Sequence, residues 1–245
     1  MYNFHNDTYY ILIMTNNLIL IRHGQSLWNK ERRFTGWADI ELTEQGKLEA
    51  KIAGQLIKQL NIEFDAYFTS DLKRAINSLE IILKVLDKKR VKYIKSNALN
   101  ERHYGGLTSL NKDETIKIYG ADQVKIWRRS FDIAPPQMDS KHPYKNKIKT
   151  DINSESLKDT FDRVSPYYNE KIKPLIEEKK NIIVVFHGNS CRALLKKILN
   201  ISNKKIADFE VPTGNPLLIE FGEKLKITDC RYLDKKRAKK ILFNV

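Results

Sequence analysis

Leu18-Ile19-Leu20-Ile21 is a continuous apolar run between polar neighbours, the pattern of a strand covered on both faces of a sheet. Ile182-Ile183-Val184-Val185-Phe186 repeats it more cleanly, and Phe64 to Phe68 and Val91 to Ile94 read as two further strands. Between them the apolar spacing lengthens to helical periods. Thr43 caps a predicted helix whose inner face reads Leu48, Ile52, Leu56 and Leu60. A second helix, after Thr69-Ser70-Asp71, carries Leu72, Ile76, Leu79, Leu83 and Leu86. Short helices are predicted around Ile116 and Trp127, a long one from Leu157 to Glu178, and another through Leu194, Leu195 and Ile198. Pro135 to Asn153 reads as a lysine-rich surface loop, and Pro216 to Phe221 and Lys224 to Thr228 as late edge strands. Strands alternating with helices predict an α/β fold, a three-layer α/β/α sandwich with a mostly parallel sheet. In such sheets ligands collect at the carboxyl ends of the strands.

Composition adds bounds. The 245 residues suit one domain, and 41% hydrophobic with 10% aromatic residues support a large core. With 44 Lys and Arg against 30 Asp and Glu, the net charge is +14, which favours anionic partners. Cys191 and Cys230 are the only cysteines, too few for a disulfide framework, so a cytoplasmic location is expected. No apolar stretch approaches the roughly 20 residues that span a bilayer, so no membrane partner is expected. Residues 1–16 are expected to be a disordered N-terminal extension, 17–232 the folded domain and 233–245 a basic C-terminal tail.

The chemistry gathers at strand ends. Two predicted strands run into histidine followed by glycine, as Arg22-His23-Gly24 and as His187-Gly188-Asn189. Arg74 lies early in the helix after Phe68, Glu101 follows the fourth predicted strand, and Arg128-Arg129 close a later helix. Arginine forks match phosphate and carboxylate, imidazole can attack phosphorus, and a carboxylate can shuttle protons. The set reads as a phosphate-handling site. Zinc ligation is the rival for two histidines and a glutamate, but no His-Glu-x-x-His or Cys-x-x-Cys occurs and arginines repel a cation. The Gly-x-Ser-x-Gly elbow of serine hydrolases and the Gly-x-Gly-x-x-Gly of dinucleotide folds are also absent.

Leu20 through Trp37 resembles the signature of the cofactor-dependent phosphoglycerate mutases, within the histidine phosphatase superfamily. Thr69 to Ala75, Asn100 to Gly106, Gly120 through Arg129, His187 to Ser190 and Val211 to Gly214 follow in family order, so the resemblance spans about residues 17 to 232. It implies a phosphoglycerate mutase-like fold and an isomerase of glycolysis and gluconeogenesis interconverting 3-phosphoglycerate and 2-phosphoglycerate. His23 would carry a phosphoryl group, with Arg22, Arg74 and His187 around it and Glu101 as general acid and base. Asn29, Thr35, Gly36, Tyr104, Lys112, Arg128, Arg129, Gly188 and Asn189 would bind the substrate's phosphate and carboxylate groups. The family implies 2,3-bisphosphoglycerate as primer and intermediate, no metal, and a homodimer or homotetramer. Departures from the family pattern are Gln25, Thr108-Ser109, a short 136–155 segment and the tail after Tyr232. A phosphatase that passes the phosphoryl group to water is the alternative within the superfamily. A nucleic-acid-binding protein on a dead enzyme fold rests only on the run Lys235 to Lys240, and no nucleic-acid partner is expected.

Overall fold

The computed structural model describes residues 16–239. In chain order the elements are β1 (Asn16–Arg22), α1 (Leu27–Lys30), α2 (Glu44–Lys58), β2 (Ala66–Thr69), α3 (Lys73–Val85), β3 (Ile94–Lys95), α4 (Lys112–Tyr119) and α5 (Ala121–Arg129). There follow α6 (Leu157–Tyr167), α7 (Lys173–Glu177), β4 (Ile182–Phe186), α8 (Gly188–Ile198), α9 (Asn203–Ala207), β5 (Leu217–Phe221) and β6 (Ile227–Tyr232). The six strands form one sheet in the order β3-β2-β4-β1-β5-β6. Parallel pairing joins β3, β2, β4 and β1, and antiparallel pairing adds β5 and β6, so the sheet is mostly parallel as expected.

Strand periodicity sorts the core into two faces. Leu18 and Leu20 of β1, with Ile182, Val184 and Phe186 of β4, pack against Leu157 and Val164 of α6 and Leu194 and Leu195 of α8. The intervening Ile19, Ile21, Ile183 and Val185 pack against Ala53 and Ile57 of α2 and Leu79, Ile82 and Leu83 of α3. Because β1 and β4 are buried on both faces, both had to read as unbroken apolar runs.

Four expectations change. Thr43 does cap α2, its side chain accepting from the Gly46 amide, but the inner face is Gly46, Ala50, Ala53, Gly54 and Ile57, while Leu48 is 49% exposed. Small residues win because α2 approaches its neighbours closely: a Cβ on Gly54 would stand 2.8 Å from the Val85 Cβ. The strand expected at Val91–Ile94 is only Ile94–Lys95. β5 lies inside the sheet, between β1 and β6. β6 starts at Ile227 because residues 222–226 form the turn, with Lys224 and Leu225 at positive φ. Residues 135–153 hold no helix or strand, yet Met138 and Ile148 are buried with Trp28 and Ala38 in a small cluster of their own. Asn16 stands within β1, while the expectations for residues 1–15 and 240–245 lie outside the described residues. No helix among the described residues is long and apolar enough to cross a membrane.

Candidate active site

β1 and β4 are adjacent and parallel with Arg22 opposite Phe186, so the two following histidines leave the sheet side by side. The His23 amide donates to the Phe186 carbonyl at 2.9 Å, and the rings of His23 and His187 lie edge to face with centroids 5.0 Å apart. Both are buried. His23 Nδ1 lies 2.6 Å from the Gly24 carbonyl oxygen, which can only accept, so Nδ1 carries the hydrogen and Nε2 presents its lone pair. Burial, then the charges of Arg74 and Arg22, hold the His23 pKa well below the usual histidine value, so the ring is neutral at pH 7.

Arg74 is aimed by its backbone partners. Its Nη1 and Nη2 donate to the carbonyls of Ala38 (2.9 Å) and Gly36 (2.7 Å), which leaves Nε donating to His23 Nε2 at 3.3 Å. Gly36 adopts a φ of +52°, a conformation that glycine reaches without a Cβ penalty. Arg22 donates from Nη1 to the Val211 carbonyl at 2.9 Å, while its Nε is buried without a partner. His187 Nε2 lies 2.7 Å from Ser70 Oγ, and its Nδ1 is also buried and unpartnered. Burial, then Arg74, depress its pKa as well. Two neutral imidazoles and two guanidiniums thus converge, and an anion there would satisfy the orphaned nitrogens of Arg22 and His187.

Above this cluster opens a crevice of about 610 Å³. Arg22, Glu101, Tyr104, Lys112, Arg128, Arg129, Gly188 and Asn189 all line it. The Glu101 Oε1 accepts from the backbone amides of Arg102 and Asn189, both at 2.9 Å, which fixes the carboxylate at the N-terminus of α8. Burial, then Arg128, lowers the Lys112 pKa, and Arg129 is paired with Glu210 at 2.8 Å. Burial pushes the Tyr104 phenol up, but Arg102 and Lys112 pull it net down to about 8.

Three of the residues expected to bind substrate do not line the crevice. Asn29 completes the capping box of α1, exchanging hydrogen bonds with the cap residue Ser26, while Gly36 holds Arg74 through its carbonyl and Thr35 is buried with its hydroxyl unpartnered. Glu49, Arg192 and residues 209–213 line the crevice without having been expected there, and Lys236 to Lys239 of the basic tail line it as well. Arg192 had a signal: it is a charge set among Cys191, Ala193, Leu194 and Leu195, on a helix whose apolar run demands burial.

Residues 18–226 match the family profile of the histidine phosphatase superfamily (branch 1). The chain is 48% identical over 235 residues to a 2,3-bisphosphoglycerate-dependent phosphoglycerate mutase of Pelagibacter ubique, covering 92% of this chain and 98% of that protein. It is 48% identical over 225 residues to the protein of that name from Treponema denticola, covering 88% and 91% of the two chains. Among solved structures, a mycobacterial glucosyl-3-phosphoglycerate phosphatase superposes with a TM-score of 0.67 at 20% identity, covering 89% of this chain and 98% of that one. A phosphoglycerate mutase of Bacillus anthracis does so with a TM-score of 0.62 at 19% identity, covering 85% and 88%. At those identities the structures speak for the fold alone, whereas the family profile and the curated relatives reach further: the chain belongs to the histidine phosphatase superfamily, and within it to the family of 2,3-bisphosphoglycerate-dependent phosphoglycerate mutases.

Proposed function

We propose that the protein interconverts 3-phosphoglycerate and 2-phosphoglycerate by way of a phosphohistidine at His23. The observation that carries this reading is the His23 ring: neutral, with Nε2 unprotonated, and flanked by Arg74 and Arg22. A nucleophilic nitrogen attacks phosphorus with its lone pair, and none of the proton removal that a serine would need is required. As the N–P bond forms and the O–P bond breaks, charge on the phosphoryl oxygens is met by Arg22, Arg74 and His187. Glu101 stands at the crevice wall with Oε1 already engaged, so Oε2 holds the proton exchanged with the substrate oxygen. Lys112, Arg128 and Arg129 supply the cationic wall for the carboxylate and second phosphate.

Bound 2,3-bisphosphoglycerate would supply the first phosphoryl group, and the orphaned nitrogens of Arg22 and His187 fit such a polyanion. Because fixed guanidiniums already provide the positive charge, the reaction needs no metal, and dialysis against a strong chelator should leave turnover unchanged. The oligomer is proposed to be a homodimer or homotetramer, which light scattering reads directly.

An enolase-coupled assay with and without 2,3-bisphosphoglycerate tests the reading. The expected result is turnover of 3-phosphoglycerate that rises several-fold on adding the primer. Release of inorganic phosphate without any 2-phosphoglycerate would assign the site to a phosphatase instead.

A further inference from the structure

Arg192 is 4% exposed, lines the crevice, and makes all four of its hydrogen bonds to neutral acceptors. Nε and Nη2 grip the Ile206 carbonyl, Nη2 also reaches that of Ala207, and Nη1 donates to Asn189 Oδ1 at 2.9 Å. A guanidinium can only donate, so it dictates which end of the Asn189 amide faces it. The other end, Nδ2, then points at the Tyr104 hydroxyl, 3.2 Å away. An amide NH₂ can likewise only donate, so Tyr104 Oη accepts there. The guanidinium of Arg102, 4.7 Å over the Tyr104 ring, offers no acceptor either. The phenolic hydrogen therefore has no taker on this side and is left for the crevice.

We infer that Arg192 is a positioning residue that sets the direction of a hydrogen-bond relay, Arg192 to Asn189 to Tyr104, so that Tyr104 presents its O–H and not its lone pair to an anionic substrate oxygen. The effect is electrostatic as well as geometric. Every group of the relay donates toward the substrate, and a reversed Asn189 would take the Tyr104 hydrogen and turn a lone pair on the anion. The inference rests on the proposed phosphoglycerate substrate but concerns Arg192, which need not touch it.

The test is a double-mutant cycle read in steady-state kinetics, with the Tm of each variant measured alongside. Tyr104→Phe removes a hydrogen bond to a charged ligand and should raise KM for 3-phosphoglycerate about tenfold, with kcat little changed. Arg192→Gln offers Asn189 both a donor and an acceptor, so the relay loses its direction. It should raise KM by a similar factor, and Tyr104→Phe added to it should then cost under about twofold. Arg192→Lys, a donor-only head, should restore most of the KM. If Arg192 served only to hold α9, Arg192→Gln would lower the Tm while Tyr104→Phe kept its full tenfold effect in that background, and the relay would be discarded. Should Arg192→Gln fold too poorly to assay, the same cycle on Asn189→Ala and Tyr104→Phe decides the matter, additive effects overturning the relay. A wild-type protein with no turnover of 3-phosphoglycerate would instead defeat the functional reading itself.

Discussion

Ser109 adopts a φ of +74°, although it is not glycine, because it joins two fixed segments: its amide donates to the Phe34 carbonyl at 2.8 Å and its carbonyl accepts from Arg33 Nη1. A side chain in the left-handed region costs about 1–2 kcal/mol, and glycine loses part of that advantage to its freer unfolded chain. Ser109→Gly should therefore raise stability by about 0.5–1 kcal/mol in urea titration, and a lower midpoint would show that the hydroxyl contributes what the backbone loses. At this scale the place of the proposed nucleophile was legible and its support was not. His23 and His187 announce themselves because each ends an apolar strand, a local pattern. Ser70 and Arg192 act through partners that no local pattern reveals: Ser70 meets His187, 117 positions away. Asn29, Thr35 and Gly36 were named by resemblance; in the structure Asn29 bonds to Ser26 at the start of α1 and Gly36 holds Arg74 through its carbonyl.

Among the elements, α2 shows how periodicity misleads when packing is close. Counting large apolar residues selects Leu48, Ile52 and Leu56, but helices that nearly touch are joined by their smallest side chains, leaving Ile52 and Leu56 half-buried and Leu48 exposed. The first turn of α2 presses on the segment that follows His23, the proposed nucleophile. A Cβ on Gly46 would stand 2.1 Å from the Gln25 carbonyl, and one on Gly24 would stand 2.1 Å from that of Gly46. Helix propensity alone says that Gly→Ala gains about 1 kcal/mol. The clash with backbone reverses the sign, so Gly46→Ala should lower the Tm by several degrees and cut kcat at least tenfold by shifting His23. Leu48→Glu on the same helix should leave both nearly unchanged. An active, stabilised Gly46→Ala would mean that α2 can lift away without disturbing the site.

For the whole molecule, the positive charge is spread widely, and most ion pairs are exposed and of little individual worth. Buried histidines matter more to its pH response. His23, His103 and His187 are all held below the ordinary value, His103 to about 4, in each case by burial first. Their folded pKa values lie below the unfolded 6.5, so the unfolded chain binds protons that the native state refuses. Stability is thus complete above pH 6.5 and is lost as the pH falls toward 4, at about 1.4 kcal/mol per pH unit for each such histidine. Thermal melts between pH 7 and 4.5 should show a steep fall in Tm beginning near 6.5. A flat profile over that range would mean that the histidines take up protons in the fold as readily as in the unfolded chain, so that the proposed nucleophile would not be kept neutral. The architecture as a whole was legible, because strands buried on both faces leave unbroken apolar runs and their order implies crossover helices. The short β3 and the late start of β6 were not, since two-residue edges and turns carry little apolar signal.

If His23 Nε2 carries the phosphoryl group, the phosphoenzyme can be trapped and its label located. Incubation with labelled 2,3-bisphosphoglycerate, followed by denaturation and mass mapping, should place one phosphoryl group on His23, stable to base and released by acid. His23→Ala should incorporate none, while Glu101→Gln should still be labelled but turn over slowly. Label retained at the wild-type level in His23→Ala, or found on another residue, would contradict the account.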